Sequence, residues 1–266
     1  MKYVIALLTL GFCSVAANAD WIDEFTGGTP QQAWTFGGLP NNNFTPSYSA
    51  SNNGYLQLSS SVRVGDGGPA AIFGFVATES FSPQVSVRTS LNPNGSALLT
   101  RDIGVLAHLN PGTLTGYAFT IDYQEGSIDL TRINAGGTTQ GLSTGSISGF
   151  SNTTSYDLQL TVSNGNLVGQ VFNSSGSLLT SIQAADTAYS SGFAGIVASR
   201  NAPDGGGVGG DPTLLATFGS VTAVPEPGSL LAVLSVVGAF ALANRYRQSL
   251  SPKQSTRATV GRSVDH

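Results

Sequence analysis

Residues 156–172 read YDLQLTVSNGNLVGQVF, and this stretch decides the fold class. Its first half, 156–162, alternates apolar and polar residues, which is the period-two pattern of a strand with one buried face. Asn164-Gly165 follows, a dipeptide typical of a two-residue hairpin turn, and the apolar run 167–172 comes after it. The stretch therefore predicts two antiparallel strands joined by a tight turn.

The same alternation recurs along the middle of the chain, and no long stretch of helical period interrupts it. Further alternating segments are 85–88, 103–109 and 117–123, and further turn signals are 53–54, 94–95, 125–126 and 175–176. Many short strands at hairpin spacing predict an all-β sandwich or jelly roll.

The order of these segments resembles concanavalin A-like, laminin-G-type jelly rolls. Strand 116–123 leads to 128–133, strand 156–162 leads to 167–172, and 192–198 with 214–221 resembles a closing pair. The resemblance covers 20–223 and implies a concanavalin A-like jelly-roll sandwich. We expect it to be flanked by an N-terminal signal helix and a C-terminal transmembrane helix.

Residues 1–19 have the three parts of a secretory signal peptide. Lys2 is followed by the apolar run 4–17, and Ala17-Asn18-Ala19 precedes Asp20. Small residues at Ala17 and Ala19 predict cleavage before Asp20. The run is too short for a first transmembrane helix, and Phe12 is too bulky a neighbour for Cys13 to be a lipoprotein cysteine.

The apolar segment 229–243 predicts a short transmembrane helix. Arg245 and Arg247 follow it, so the positive-inside rule places that end in the cytoplasm and 20–223 outside. Two prolines in Val224-Pro225-Glu226-Pro227-Gly228 keep the preceding backbone extended.

Pro225, Glu226 and Pro227, the apolar helix and the arginine cluster together resemble the PEP-CTERM sorting signal recognised by exosortases. The resemblance covers 224–248 and implies export through the inner membrane, transient anchoring, and passage to the cell surface or extracellular matrix. The basic tail 249–266, expected to be disordered, departs from that pattern. An ordinary membrane anchor is the alternative interpretation. Export machinery, exosortase and the membrane are the implied partners.

Composition limits the chemistry of 20–223. Cys13 is the only cysteine, so this region has no disulfide and no thiolate metal site. Five arginines, no lysine and thirteen acids give it a net charge of −8. With no basic stripe to contact phosphates, nucleic-acid binding is excluded.

Catalytic and metal-binding candidates are few. The nearest match to the Glu-x-Asp-x-x-Glu signature of laminarinase-type jelly rolls is 120–125, where Thr120 replaces the nucleophilic Glu and Glu125 falls at a turn. His108 is a lone strand histidine, interpreted as a surface or satisfied residue. We therefore predict no catalytic residue and no cofactor. A calcium ion held by Asp204 and Asp211 is the alternative to a solvated loop.

Sugar binding would use aromatic faces with amides nearby. The candidates are Trp21, Trp34, Tyr48, Tyr55 and Tyr189, with Asn41, Asn42 and Asn43 close in sequence. Trp21 and Trp34 are expected in the core instead, beside Phe25 and Phe36. The leading hypothesis is a non-enzymatic surface or matrix protein with weak affinity for exopolysaccharide. A glycoside hydrolase and a structural spacer without a cleft are the alternatives.

Overall fold

Antiparallel strands make up most of the chain that the structure describes. The computed structural model describes residues 21–25, 29–39, 45–49, 54–60, 71–91, 102–199 and 215–225. Their strands are β1 (Trp21–Asp23), β2 (Trp34–Leu39), β3 (Thr45–Ser49), β4 (Tyr55–Ser59), β5 (Ala71–Phe81), β6 (Gln84–Leu91), β7 (Asp102–Asn110), β8 (Thr115–Asp122), β9 (Ser127–Ile133), β10 (Thr139–Ser146), β11 (Tyr156–Ser163), β12 (Asn166–Asn173), β13 (Leu178–Ala185), β14 (Gly192–Ser199) and β15 (Leu215–Val224). A 3-10 turn spans Ala135–Gly137.

The strands form two antiparallel sheets. Sheet A has the order β13-β12-β11-β6-β15-β4-β3, with β1 also paired to β15, and sheet B has the order β10-β9-β8-β7-β14-β5-β2. Strands that are consecutive in the chain often lie in different sheets, as in a jelly roll. The predicted all-β jelly-roll sandwich is confirmed.

The hairpin between β11 and β12 forms where the sequence predicts it. Asn164 and Gly165 both have positive φ, 51° and 78°, which is the backbone of a type I′ turn. Ser163 pairs directly with Asn166, so two residues form the loop. The closing strands differ from the expected pair, because β14 pairs with β5 and β7 in sheet B whereas β15 pairs with β4 and β6 in sheet A.

The main core lies between the two sheets. Alternate residues of each strand point inward, so Leu158 and Leu160 of β11 are fully buried and face residues of sheet B such as Phe119. The sheets approach closely at Gly169, where a Cβ atom would lie 2.5 Å from the Phe119 ring. Each buried side chain of this size contributes about 1.5–3 kcal/mol, so the core can supply stability without disulfides.

A buried carboxylate fixes the N-terminal end of the sandwich. Asp23 Oδ1 accepts a hydrogen bond from Phe25 N at 2.9 Å, and Oδ2 accepts from Gln31 N at 3.0 Å, Gln32 N at 3.1 Å and Trp34 Nε1 at 2.7 Å. Asp23 is fully buried, so four donors compensate its loss of water. The carboxylate therefore ties β1 to the start of β2.

The predicted sorting segments lie almost wholly outside the described residues. Pro225 follows directly after β15 and is half-buried. Outside lie Ala17, Ala19, Asp20, Glu226, Pro227, Arg245, Arg247 and the apolar segment 229–243. Within the described ranges, no helix has the length and apolar character needed to cross a membrane.

Candidate functional site

A cleft of about 510 Å³ lies on the outer face of sheet B, and every strand of that sheet contributes to its lining. Its volume is within the range of about 300–1,000 Å³ typical of small-molecule sites. The lining has an apolar part and an acidic part. The apolar part contains Phe73, Leu106, Leu109, Ala118, Ile133 and Val197, and the acidic part contains Asp102, Thr120, Asp122, Glu125, Asp129 and Ser199.

The apolar part belongs to a second, smaller hydrophobic cluster that is separate from the main core. Among the phenylalanines of this cluster, Phe73 of β5 lines the cleft and is half-buried. The Phe73 ring lies over Gly37 of β2, where a Cβ atom would be 2.3 Å from the ring. It also stacks on Phe75, with 6.4 Å between ring centroids. Gly37 thus lets a flat aromatic surface lie in the cleft wall.

The acidic part is assembled by strand register. Ser199 of β14, Asp102 of β7 and Asp122 of β8 are direct cross-strand neighbours, and Ser199 Oγ donates a hydrogen bond to Asp102 Oδ2 at 3.1 Å. In the adjacent row, Thr120 of β8 pairs with Asp129 of β9. Because neighbouring strands lie about 4.8 Å apart, these side chains converge on one patch.

Two nearly buried groups in this patch have unused hydrogen-bonding capacity. Asp122 is 7% exposed, and its Oδ1 accepts hydrogen bonds from Gln124 N at 2.7 Å and Glu125 N at 3.2 Å. Its Oδ2 and the hydroxyl of Thr120, which is 8% exposed, make no hydrogen bond to any described residue. Both groups line the cleft, so a ligand can supply their partners.

The charge of the patch has one sign. Asp102, Asp122, Glu125 and Asp129 are carboxylates, and the lining residues within the described ranges include no Lys, Arg or His. The cleft therefore favours neutral or cationic groups over anions.

The motif residues considered from sequence lie in this cleft. Thr120 is on its floor, and Glu125 is exposed in the turn after β8, as predicted. Asp129, opposite Thr120, is not part of that motif.

The aromatic residues proposed for sugar binding are not the ones that line the cleft. Trp21 is buried in the core as expected. Trp34 is partly buried and packs against the core between Trp21 and Phe36, with ring centroids 5.6 and 5.9 Å away. Tyr55 is half-buried on sheet A. Tyr189 packs against the core beside Tyr117, 5.3 Å between centroids. Asn41, Asn42, Asn43 and the Tyr48 side chain are outside the described residues.

His108 is buried in β7 rather than lying at the surface. Nδ1 is 3.1 Å from the carbonyl oxygen of Tyr189, and this contact assigns the proton to Nδ1. Nε2 is buried without a hydrogen-bond partner in the described chain. Desolvation lowers the pKa of His108, partly offset by the bond to Tyr189 O, so the neutral form is favoured.

A polar network ties β8 and β9 to the connection before β14. Tyr117 Oη donates to Asp186 Oδ1 at 2.8 Å, and Arg132 pairs with Asp186 Oδ2 at 2.8 Å. Burial raises the pKa of Tyr117 to about 12. Burial also acts to raise the pKa of Asp186, but hydrogen bonds from Ala188 N and Tyr117 and the charge of Arg132 outweigh it and lower that pKa. None of these three residues lines the cleft.

No cluster of three His, Cys, Asp or Glu side chains that could hold a metal ion occurs in the part of the chain that the structure describes. The loop from Asp204 to Asp211, for which calcium was the alternative to a solvated loop, lies outside it.

Sequence reasoning missed Phe73, Asp102 and Asp129 as site residues. The available signal was alternation, since a strand with a buried inner face must turn every second residue outward. It did not reveal that β5 and β9 belong to the same sheet, which brings Phe73 and Asp129 to one face.

The fold resembles known carbohydrate-related proteins in solved structures. A carbohydrate-binding module, CBM66 from Bacillus subtilis, matches with a TM-score of 0.50 and 14% identity over 73% of this chain and 96% of that one. Bacillus licheniformis beta-glucanase matches with a TM-score of 0.50 and 11% identity over 78% of this chain and 98% of that one. Lectin II from Ulex europaeus matches with a TM-score of 0.49 and 11% identity, covering 79% and 99%.

No protein-family model and no curated protein matches the sequence. At these identities, the first two structural matches establish a shared jelly-roll fold and nothing finer.

Proposed function

We propose that this protein is an exported, non-enzymatic module that binds carbohydrate in the cleft on sheet B. The observation that carries the proposal is the cleft lining, where the aromatic surface of Phe73 lies in the same cavity as the hydrogen-bonding groups of Thr120, Asp122 and Asp129. Sugar rings combine apolar faces with hydroxyl groups, so they need both kinds of surface. A structural spacer would not need such a cleft.

The export part of the proposal comes from the termini. The signal-like segment 1–19 and the Pro-Glu-Pro, apolar and arginine series of 224–248 support delivery through the inner membrane to the cell surface or extracellular matrix. Exopolysaccharide is the carbohydrate that a protein at that location meets. Mass spectrometry of the mature protein tests this part, and an intact Met1 on a cytosolic protein would contradict it.

A glycoside hydrolase is the second candidate, because carboxylates converge in the cleft. Asp102 and Asp122 are direct cross-strand neighbours, and paired carboxylates are the requirement for glycoside hydrolysis. Against it, Thr120 occupies the motif position of the nucleophile. Release of reducing sugar from a glycan that the protein binds would favour the hydrolase over the binding module.

The binding proposal is tested with a matched pair of phenylalanine variants of the full-length chain. Phe73→Ala removes the aromatic surface from the cleft, while Phe172→Ala removes a half-buried phenylalanine from sheet A. Affinity electrophoresis in gels containing the producer's exopolysaccharide should show retardation that Phe73→Ala abolishes and Phe172→Ala preserves. Equal retardation of both variants would overturn the assignment to the cleft.

A further inference from the structure

The acidic part of the cleft adds a charge preference to the carbohydrate binding proposed above, and this inference depends on that proposed function. Asp102 accepts a hydrogen bond from Ser199 Oγ. Asp122, Glu125 and Asp129 remain, and none makes an ion pair with a described residue. Region 20–223, these carboxylates included, has a net charge of −8. A uronate or sulfate group in the acidic part of the cleft would be repelled by these three carboxylates.

Two nearly buried residues in this part, Asp122 and Thr120, indicate what kind of hydrogen-bond donor a ligand would supply. Asp122 Oδ2 accepts no hydrogen bond within the described chain although the residue is 7% exposed. The Thr120 hydroxyl beside it is also unpartnered and 8% exposed. The Asp122 residue is more than nine-tenths buried, and a carboxylate in such a site gains most from a charged donor, because charge-assisted hydrogen bonds are the strongest and a low local dielectric strengthens them further.

We infer that the cleft selects sugar chains that carry protonated amino groups, with the ammonium group between Asp122 and Asp129 and a sugar ring against Phe73. Thr120 lies opposite Asp129 in the strand register, so its hydroxyl contacts the same sugar unit. Phe73 and Thr120 belong to one cross-strand row, separated by Val197 of β14 and Gly104 of β7. At about 4.8 Å per strand this row spans roughly 14 Å, enough for a chain of several sugar units lying across the strands.

The test uses three hexasaccharides that differ in charge and the full-length chain. β-1,4-linked glucosamine hexamer, its fully N-acetylated counterpart and an oligogalacturonate hexamer are titrated by calorimetry at about pH 6, where carboxylates are ionised. The glucosamine hexamer should bind at least about tenfold more tightly than the acetylated one, the galacturonate should not bind, and added salt should reduce the preference.

Two isosteric variants test whether Asp122 and Asp129 cause the preference for the glucosamine hexamer. Asp129→Asn and Asp122→Asn should each reduce the ratio of glucosamine to acetylated affinity several-fold, and an Asn side-chain oxygen can still accept the turn bonds that Asp122 Oδ1 accepts. Asp157→Asn is the matched control, since it removes one charge from sheet A, where Asp157 pairs with Arg88. It should leave the ratio unchanged.

The outcomes separate this inference from the proposed function. Equal affinity for the glucosamine and acetylated hexamers overturns the charge preference and leaves carbohydrate binding standing. Tight binding of galacturonate also overturns it. Binding of no hexamer, together with no retardation by exopolysaccharide, overturns the proposed function and this inference with it.

Discussion

Replacement of Asp23 by Asn is a sharp test of how the sandwich is closed at its N-terminal end. The carboxylate accepts four hydrogen bonds, three of them at Oδ2, whereas an amide has a single accepting oxygen. With that oxygen in the Oδ2 position, the amide NH2 group faces Phe25 N–H, and one buried donor is left unsatisfied at a cost of about 1–3 kcal/mol. The three remaining bonds lose their charge assistance, which brings the expected loss of unfolding free energy to about 2–4 kcal/mol.

Urea unfolding followed by tryptophan fluorescence measures this loss, because Trp34 bonds Asp23 directly and Trp21 contacts Trp34. The matched control is Asp157→Asn, which breaks a partly exposed ion pair with Arg88 and should cost below about 1 kcal/mol. If the free energy of unfolding of Asp23→Asn is within about 0.5 kcal/mol of that of the unsubstituted protein, the reasoning is refuted, since the carboxylate would then not be required to satisfy the four donors.

Three other predictions concern the interior and one turn. Asp186→Asn should lower the free energy of unfolding in urea by about 2–3 kcal/mol, because it removes the charged partner of Arg132 and Tyr117. The pKa of Asp186 is lowered in the folded state, so its contribution to stability is present above about pH 4 and is lost as the pH falls through the folded pKa. The stability of the variant should therefore depend less on acid pH than that of the parent. The lowered pKa of His108 predicts that stability falls as pH drops below about 6.5, because the unfolded state binds that proton more readily. His108→Gln should therefore flatten the stability profile between about pH 7 and 5. An unchanged profile would show that the pKa of His108 is the same in the folded and unfolded states. Gly165→Ala should cost about 1–2 kcal/mol in thermal unfolding, because its φ is 78° and its new Cβ would lie 2.5 Å from Thr187 Cγ2; no loss would mean that the turn is not of type I′.

Local sequence patterns predicted strands that pair through a short turn, but they did not predict which strands distant in sequence pair with each other. The hairpin of β11 and β12 needed only alternation and Asn164-Gly165, both of which are visible within 17 residues. By contrast, β10 (Thr139–Ser146) is rich in Gly, Ser and Thr and largely exposed, so no hydrophobic period indicates it. Strand β5 pairs with β2 and β14, which are distant in sequence, and no local signal specifies such partners.

In the candidate site, too, residues in a local motif were noticed from the sequence, whereas residues placed there by the sheet were not. Thr120 and Glu125 were considered because they stand in a short motif, although no catalytic role was assigned to them, and both lie in the cleft. Phe73 was missed because its neighbours Ile72 and Phe75 make the segment uniformly apolar, which hides which residue faces outward. Burial of His108 was missed because a single histidine in an alternating strand has no sequence signal for which sheet face covers it.

The most direct test of the central claim is amide chemical-shift mapping of the isotope-labelled protein during titration with an oligosaccharide that it binds. The account predicts that the largest shifts occur at outward positions of sheet B, at Phe73, Thr120 and Asp129, while Arg88 and Phe172 on sheet A stay unchanged. Shifts concentrated on sheet A, with the cleft unaffected, would contradict it.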